Sequence, residues 1–253
     1  MKESTGDPMR PHEETDEDAS RAWRPLVTER NDIRPFADRE AAGHLLADRL
    51  VARRRPESDF QPELVLAIPR GGVAVAAPVA AMLDRPIDVL VVRKVGAPQQ
   101  PELAIGAVTR FGEVWNQEVI DSLRLSRAEV SAAQEQAKRE LEAREERFRA
   151  VRSGQPIEGR SVLLVDDGWA TGATAAAAVE SLMQAGASKV IAATPVAAPE
   201  AVARVEARGA EAVALVTPTD LRSLGEFYRL FFPVTMDRCL DLLLANRQPH
   251  IAI

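Results

Sequence analysis

The chain has 253 residues, 46% of them hydrophobic and 4% aromatic, with 32 Lys and Arg against 38 Asp and Glu for a formal net charge of −6. That length suits one α/β domain with extra segments or two small domains, and the negative charge argues against a nucleic-acid surface, where Lys and Arg would cluster. A single cysteine, Cys239, excludes an internal disulfide and points to a reducing cytoplasm, while no run nears the roughly 18 apolar residues of a membrane span or forms a signal core.

Residues 1–30 are polar and acid-rich and bury too little apolar surface to offset ordering, so a disordered tail is expected there. Folded sequence is expected over 31–253, with a core at about 62–216. Asp38 is placed to cap a helix that repeats Ala42, Leu45, Leu46 and Leu50 at helical spacing, closed by the basic residues 53–55. Residues 64–68 read as a strand, 73–83 as a small-residue helix and 88–92 as a second strand. Residues 104–108 and 113–116 read as a short antiparallel pair turning at Phe111 and Gly112. Ser126 with Glu129 is a capping-box sequence that opens a charged helix to about residue 150. A third buried strand at 162–165 is followed by an alanine-rich helix, and strands at 189–193 and 211–215 flank a helix over 199–208. Thr235 is placed to cap a last helix through Leu244. This alternation predicts an α/β fold: an open, mostly parallel twisted sheet with helices on both faces.

Ligands of such sheets sit beyond the carboxyl ends of the strands, and three strand ends here carry suitable chemistry. After the strand at 64–68 comes Pro69-Arg70-Gly71-Gly72. The Arg70 guanidinium can grip a diphosphate bidentately, and the two glycines let backbone N–H groups turn toward the same anion. After 88–92 come two cations, Arg93 and Lys94, and a polar, proline-bounded segment over 95–101. After 162–165 come Asp166 and Asp167, then Gly168, Trp169, and the small-residue stretch Ala170-Thr171-Gly172-Ala173-Thr174 leading into a helix. Small residues, two hydroxyls and a helix N-terminus suit one phosphate, and two acids beside it can hold hydroxyls directly or through Mg²⁺. A Walker A loop does not fit, because position 173 is Ala and no Gly-Lys-Ser/Thr follows, and the dinucleotide fingerprint is missing.

In content and order, across most of residues 64–194, these three motifs resemble those of the type I phosphoribosyltransferases. The sequence is similar to bacterial members known only by that general activity, with Pro-Arg-Gly-Gly, Val-Arg-Lys and Val-Asp-Asp-Gly-x-Ala-Thr-Gly-x-Thr in common. The resemblance implies 5-phosphoribosyl diphosphate (PRPP) as donor, Mg²⁺ as cofactor, a nitrogenous small molecule as acceptor and a homodimer. It implies Asp166, Asp167 and Lys94 as the catalytic set, with the metal at Asp166 and Asp167. The 5-phosphate would lie on Ala170, Thr171, Gly172, Ala173 and Thr174, and the diphosphate on Arg70, Gly71, Gly72, Arg93 and Lys94. The Pro69–Arg70 bond is expected to be cis, and residues 95–101 to form a mobile lid.

A small acceptor-binding hood is expected from residues 31–60, 217–253 or both. Trp169 and the cluster of Phe227, Tyr228, Phe231 and Phe232 supply its aromatic candidates, foremost Tyr228 and Phe227, with core or dimer packing the favoured reading of these rings. The 6-oxopurine enzymes of the family carry an acid where this chain has Ala170, so hypoxanthine and guanine are not expected acceptors. A PRPP- or nucleotide-sensing regulator without turnover, and a PRPP hydrolase, are the alternative readings.

Overall fold

A computed structural model describes residues 26–28 (backbone only), 35–53, 60–149, 151 and 154–246. In chain order the strands are β1 (Leu26–Thr28), β2 (Leu64–Ala67), β3 (Ile87–Val89), β4 (Arg93–Ala97), β5 (Gln100–Thr109), β6 (Gly112–Trp115), β7 (Ser161–Val165), β8 (Lys189–Val196) and β9 (Glu211–Pro218). The helices are α1 (Arg39–Val51), α2 (Gly71–Leu83), α3 (Gln117–Ser122), α4 (Arg127–Arg149), α5 (Ala173–Gln184), α6 (Pro199–Glu206) and α7 (Met236–Ala245). Six strands form one sheet in the order β1-β9-β8-β7-β2-β3, every neighbouring pair parallel. Strands β4, β5 and β6 form a separate antiparallel sheet.

The parallel strands are apolar at nearly every position because both of their faces are covered. Side chains alternate between the faces with the period of two that a strand imposes. Val65, Ala67, Leu163, Val165, Ile191 and Val213 join the core shared with α1, α2 and α7. Leu64, Leu66, Val162, Leu164, Val190 and Ala212 join the core under α5 and α6. All six strands therefore end on one side, which gathers the segments after β2, β7, β8 and β9 along one edge.

Local signals in the sequence account for the helix starts. Asp38 accepts from Ala41 N at 2.8 Å, Thr235 accepts from Arg238 N at 3.2 Å, and Ser126 and Glu129 make the reciprocal capping bonds. Four expectations need correction. Of the tail expected at residues 1–30, residues 1–25 and 29–30 lie outside the described residues, but Leu26–Thr28 pairs with β9 as an edge strand, because a short run of strand character can find a partner that its polar flanks conceal. The second strand stops at Val89 rather than reaching residue 92. Arg93 and Lys94 then begin β4 instead of standing at the end of a buried strand. The expected lid at 95–101 is largely the β4–β5 hairpin, with Val95 opposite Gly106 and Ala97 opposite Gln100.

The two segments expected to supply a hood are bonded to each other. Phe36 N donates to Phe227 O, Arg229 N to Phe36 O and Leu230 N to Ala37 O, at 2.8–3.0 Å. The N-terminal segment and the segment after β9 thus form one layer over the sheet edge.

Candidate active site

The loop after β7 and the loop after β2 are pressed together. Gly71 stands where any Cβ would overlap the Asp167 carboxylate, and a Cβ on Gly72 would come within 2.8 Å of Val165 O and 3.0 Å of Asp166 Cα. The two glycines are required less for their own turn than for the approach of the acids. The Pro69–Arg70 peptide bond is cis, and the Arg70 side chain is exposed at the same edge. Beneath it, the Cys239 thiol of α7 donates to Arg70 O at 3.6 Å. Burial pushes that thiol up to about 11, with the Arg70 charge opposing, so Cys239 is a neutral packing group and no nucleophile.

The two acids are held differently. Asp166 Oδ1 accepts from Asp167 N at 2.8 Å, and the Asp166 main chain is tied to β8 through Ala193 O and the Thr194 hydroxyl. Burial, and next the charge of Asp167, hold the Asp166 carboxyl well above the usual carboxylate range. Asp167 Oδ2 is bonded by Arg39 Nε at 2.7 Å, in an ion pair whose side chains are 11% and 17% exposed. The Tyr228 hydroxyl donates to Asp167 O at 2.6 Å. Burial, and then the Asp167 charge, raise the Tyr228 phenol, so it stays a donor. Arg39 is not among the sequence candidates. It occupies the first position of α1, where a cation opposes the helix dipole; that anomaly is the available signal for a carboxylate partner.

Beyond Asp167 the chain pairs with the end of β8 through Trp169 N to Val196 O at 2.8 Å, then turns into α5. Gly172 sits at the N-cap with φ +70°, and a Cβ there would meet Ala201 O at 2.8 Å, so the position requires glycine on two counts. Ala170, Thr171, Ala173 and Thr174 are exposed, at the N-terminus of a 12-residue helix. An Arg204 guanidinium N–H bonds Thr171 O and fixes the loop from α6. The first-turn N–H groups of this exposed helix end are suited to an anion.

Arg93 and Lys94 are engaged elsewhere: Arg93 pairs with Glu140 of α4, and Lys94 donates to Glu102 O at 2.7 Å across the hairpin. The structure thus brings together Arg70, Gly71, Gly72, Asp166 and Asp167, but leaves the two cations of β4 on a separate arm. The aromatic candidates for an acceptor are corrected. Trp169, Phe227 and Tyr228 are 2–5% exposed; Trp169 lies in the core under α5, and Tyr228 packs on Phe36 and Phe231. Their ring faces are already covered by protein. Among the described residues the exposed aromatic is Phe232, at 75%, on a shallow cleft of about 330 Å³ that Arg39, Ala74, Leu230 and Pro233 also line.

Among the described residues no group of three or more His, Cys, Asp or Glu forms a metal cage. Two adjacent carboxylates are a hard-oxygen donor set of the kind that binds Mg²⁺ together with substrate phosphates and water. Among those residues, too, no helix is long and apolar enough to cross a membrane.

The phosphoribosyl transferase domain model matches residues 40–216. A Mycobacterium tuberculosis H37Rv protein provisionally named a phosphoribosyl transferase is 42% identical over 209 residues, 82% of this chain and 46% of the relative. The counterpart from strain CDC 1551 matches equally, so the chain spans about half the length of the curated relatives it matches. The crystal structure of TT1426 from Thermus thermophilus is 40% identical and superposes with a TM-score of 0.74, covering 84% of this chain and 99% of that one.

Proposed function

The chain belongs to the phosphoribosyl transferase domain family, and from that premise we propose that it transfers 5-phosphoribose from PRPP to a nitrogenous acceptor and releases diphosphate. The observation that carries this reading is the apposition of the Arg70–Gly72 loop and the Asp166–Asp167 pair, with the α5 N-terminus beyond them. One edge thereby offers diphosphate, ribose and phosphate chemistry in the order in which PRPP carries those groups.

In this reading the acceptor nitrogen uses its lone pair to form a bond to C1 of the ribose. The bond from C1 to the diphosphate oxygen breaks, that oxygen keeps the electron pair, and the nitrogen gives its proton to solvent. Positive charge develops on the ribose, and the carboxylates of Asp166 and Asp167 face it while accepting from the 2- and 3-hydroxyls. Arg70 and the Gly71 N–H receive the leaving diphosphate, the Gly72 N–H being spent on Ile68 O, and the β4–β5 arm brings Arg93 and Lys94 over it. Asp166 and Asp167 would hold the Mg²⁺, whose charge neutralises the diphosphate. The 5-phosphate rests on residues 170–174 at the helix N-terminus. The acceptor faces Phe232 and the cleft beside Arg39, because the other aromatics of the hood are covered. Without an acid at position 170, hypoxanthine and guanine rank below adenine, a pyrimidine or a non-nucleobase amine. The single buried thiol accords with a cytoplasmic enzyme.

The test follows diphosphate release from PRPP with Mg²⁺ and a panel of bases and amines. Release that depends on one acceptor is expected. Release independent of any acceptor would replace the reading with hydrolysis, and PRPP binding without release would replace it with sensing. Phe232→Ala should raise the acceptor KM while leaving PRPP affinity within about twofold, since a contact made only to the acceptor is lost.

A further inference from the structure

Arg39 reaches across 128 positions of sequence to the acid pair, and its guanidinium makes two hydrogen bonds and a ring contact. Its Nε bonds Asp167 Oδ2 at 2.7 Å, its Nη1 bonds Phe232 O at 2.9 Å, and its plane lies 3.8 Å from the Phe231 ring centroid. Phe231 in turn stacks on Tyr228 at 4.9 Å between centroids, and Tyr228 holds the Asp167 carbonyl. Asp167 is therefore clamped twice, at its carboxylate by α1 and at its main chain by the segment after β9. The Oδ2 oxygen is enclosed between Arg39 and Gly71, which leaves Oδ1 as the oxygen that Arg39 does not use.

Resting on the reading above, we infer that Arg39 is a positioning residue: it consumes one oxygen of Asp167 so that the other is presented to the ribose in a single orientation. A carboxylate on a strand-end loop otherwise rotates about χ2, and a hydroxyl acceptor misplaced by about 1 Å loses a large part of its effect. The same contact couples the hood to the acid pair, since Phe231 and Phe232 hold the guanidinium that holds Asp167. A cation at the first turn of α1 is unfavourable for the helix alone, and the ion pair with Asp167 offsets that cost.

The experiment is a double-mutant cycle read by calorimetry with Mg²⁺ present, using PRPP, ribose 5-phosphate and inorganic diphosphate as separate probes. Arg39→Gln should weaken PRPP and ribose 5-phosphate by about tenfold or more and leave diphosphate within about twofold. In the Asp167→Asn background the same change should cost no more than about twofold on any probe. Arg39→Lys, which keeps the charge but not the fork or the ring stack, should fall between wild type and Arg39→Gln. It is also the variant to measure if Arg39→Gln does not fold. Equal losses on all three probes, or additive losses in the cycle, would overturn the inference and make Arg39 a brace of the hood. A wild-type protein that does not bind PRPP would instead overturn the transferase reading itself.

Discussion

In the proposed reading two charged regions serve one ligand, and they are built differently. The acid loop after β7 is fixed by contacts from four directions: Gly71 and Gly72 at the start of α2, Arg39 from α1, Tyr228 from the segment after β9 and Thr194 from β8. The basic arm of β4 and β5 buries Val95, Ala97, Ile105 and Val108 in the core that α4 shares, and its tip at residues 100–103 is exposed. Lys94 is 44% exposed on this arm and its partner Glu102 entirely so. On the proposed reading, the ribose side of the site is preorganised, while the diphosphate side is completed from an arm whose base is packed and whose tip is exposed. Preorganised charge acts without reorganisation at the moment of reaction, whereas an arm can close over a ligand and release its product.

The largest expected effect comes from removing the space on which the acid loop depends. Gly71→Ala puts a methyl group into the Asp167 carboxylate, so PRPP affinity should fall by about a hundredfold or more, with a stability loss on the order of 1–3 kcal/mol. Near-normal PRPP affinity with an unchanged melting temperature would mean that the two loops are not in contact.

Asp166→Asn separates function from stability. Turnover should fall by about a hundredfold or more because the charge facing the ribose is lost. The melting temperature should rise by about 2–4 °C, the shift of roughly 1 kcal/mol in a chain of this size. The sign follows from the raised carboxyl: its stability contribution is greatest when protonated and is lost as pH climbs through the raised range. The neutral amide avoids the buried charge and keeps the oxygen that accepts from Asp167 N. A lowered melting temperature near pH 7 would contradict this account of Asp166.

Lys94→Ala sharpens the contrast from the other side. An exposed arm residue should change PRPP affinity or kcat by about tenfold and the melting temperature by less than about 1 °C. A large stability loss would show that the arm is as restrained as the acid loop.

The parts of the site that are contiguous in sequence were legible there. Asp166, Asp167 and residues 170–174 follow a buried strand and open a helix, and strand, turn and helix each leave a local pattern. Asp38, Ser126 and Thr235 were readable as caps for the same reason. Four features depended on tertiary contacts and were not legible. Arg39 looks like an ordinary helix residue, although a cation at the first helical position is a signal that could have been followed. Trp169, Phe227 and Tyr228 could be ligand-facing or buried on composition alone, and only the packing of Phe36, Phe231 and β8 around them decides for burial. Residues 95–101 carry glycine and prolines that suggest a loop, yet the long partner strand Gln100–Thr109 draws them into a hairpin with register shifts at Gly96. Leu26–Thr28 is hidden by its short length within a polar stretch.

The central claim is that one edge of the sheet binds PRPP as a single ligand, with separate places for its ribose 5-phosphate and its diphosphate. The most direct measurement is calorimetric titration of PRPP, ribose 5-phosphate and diphosphate into wild type and Arg70→Ala with Mg²⁺ present. PRPP should bind once per chain, with each fragment competing against it. Arg70→Ala should weaken PRPP and diphosphate by about 30-fold or more, in line with a lost charge-assisted contact of about 2–3 kcal/mol, and leave ribose 5-phosphate nearly unchanged. Absence of PRPP binding, or an equal loss for all three ligands, would contradict the account.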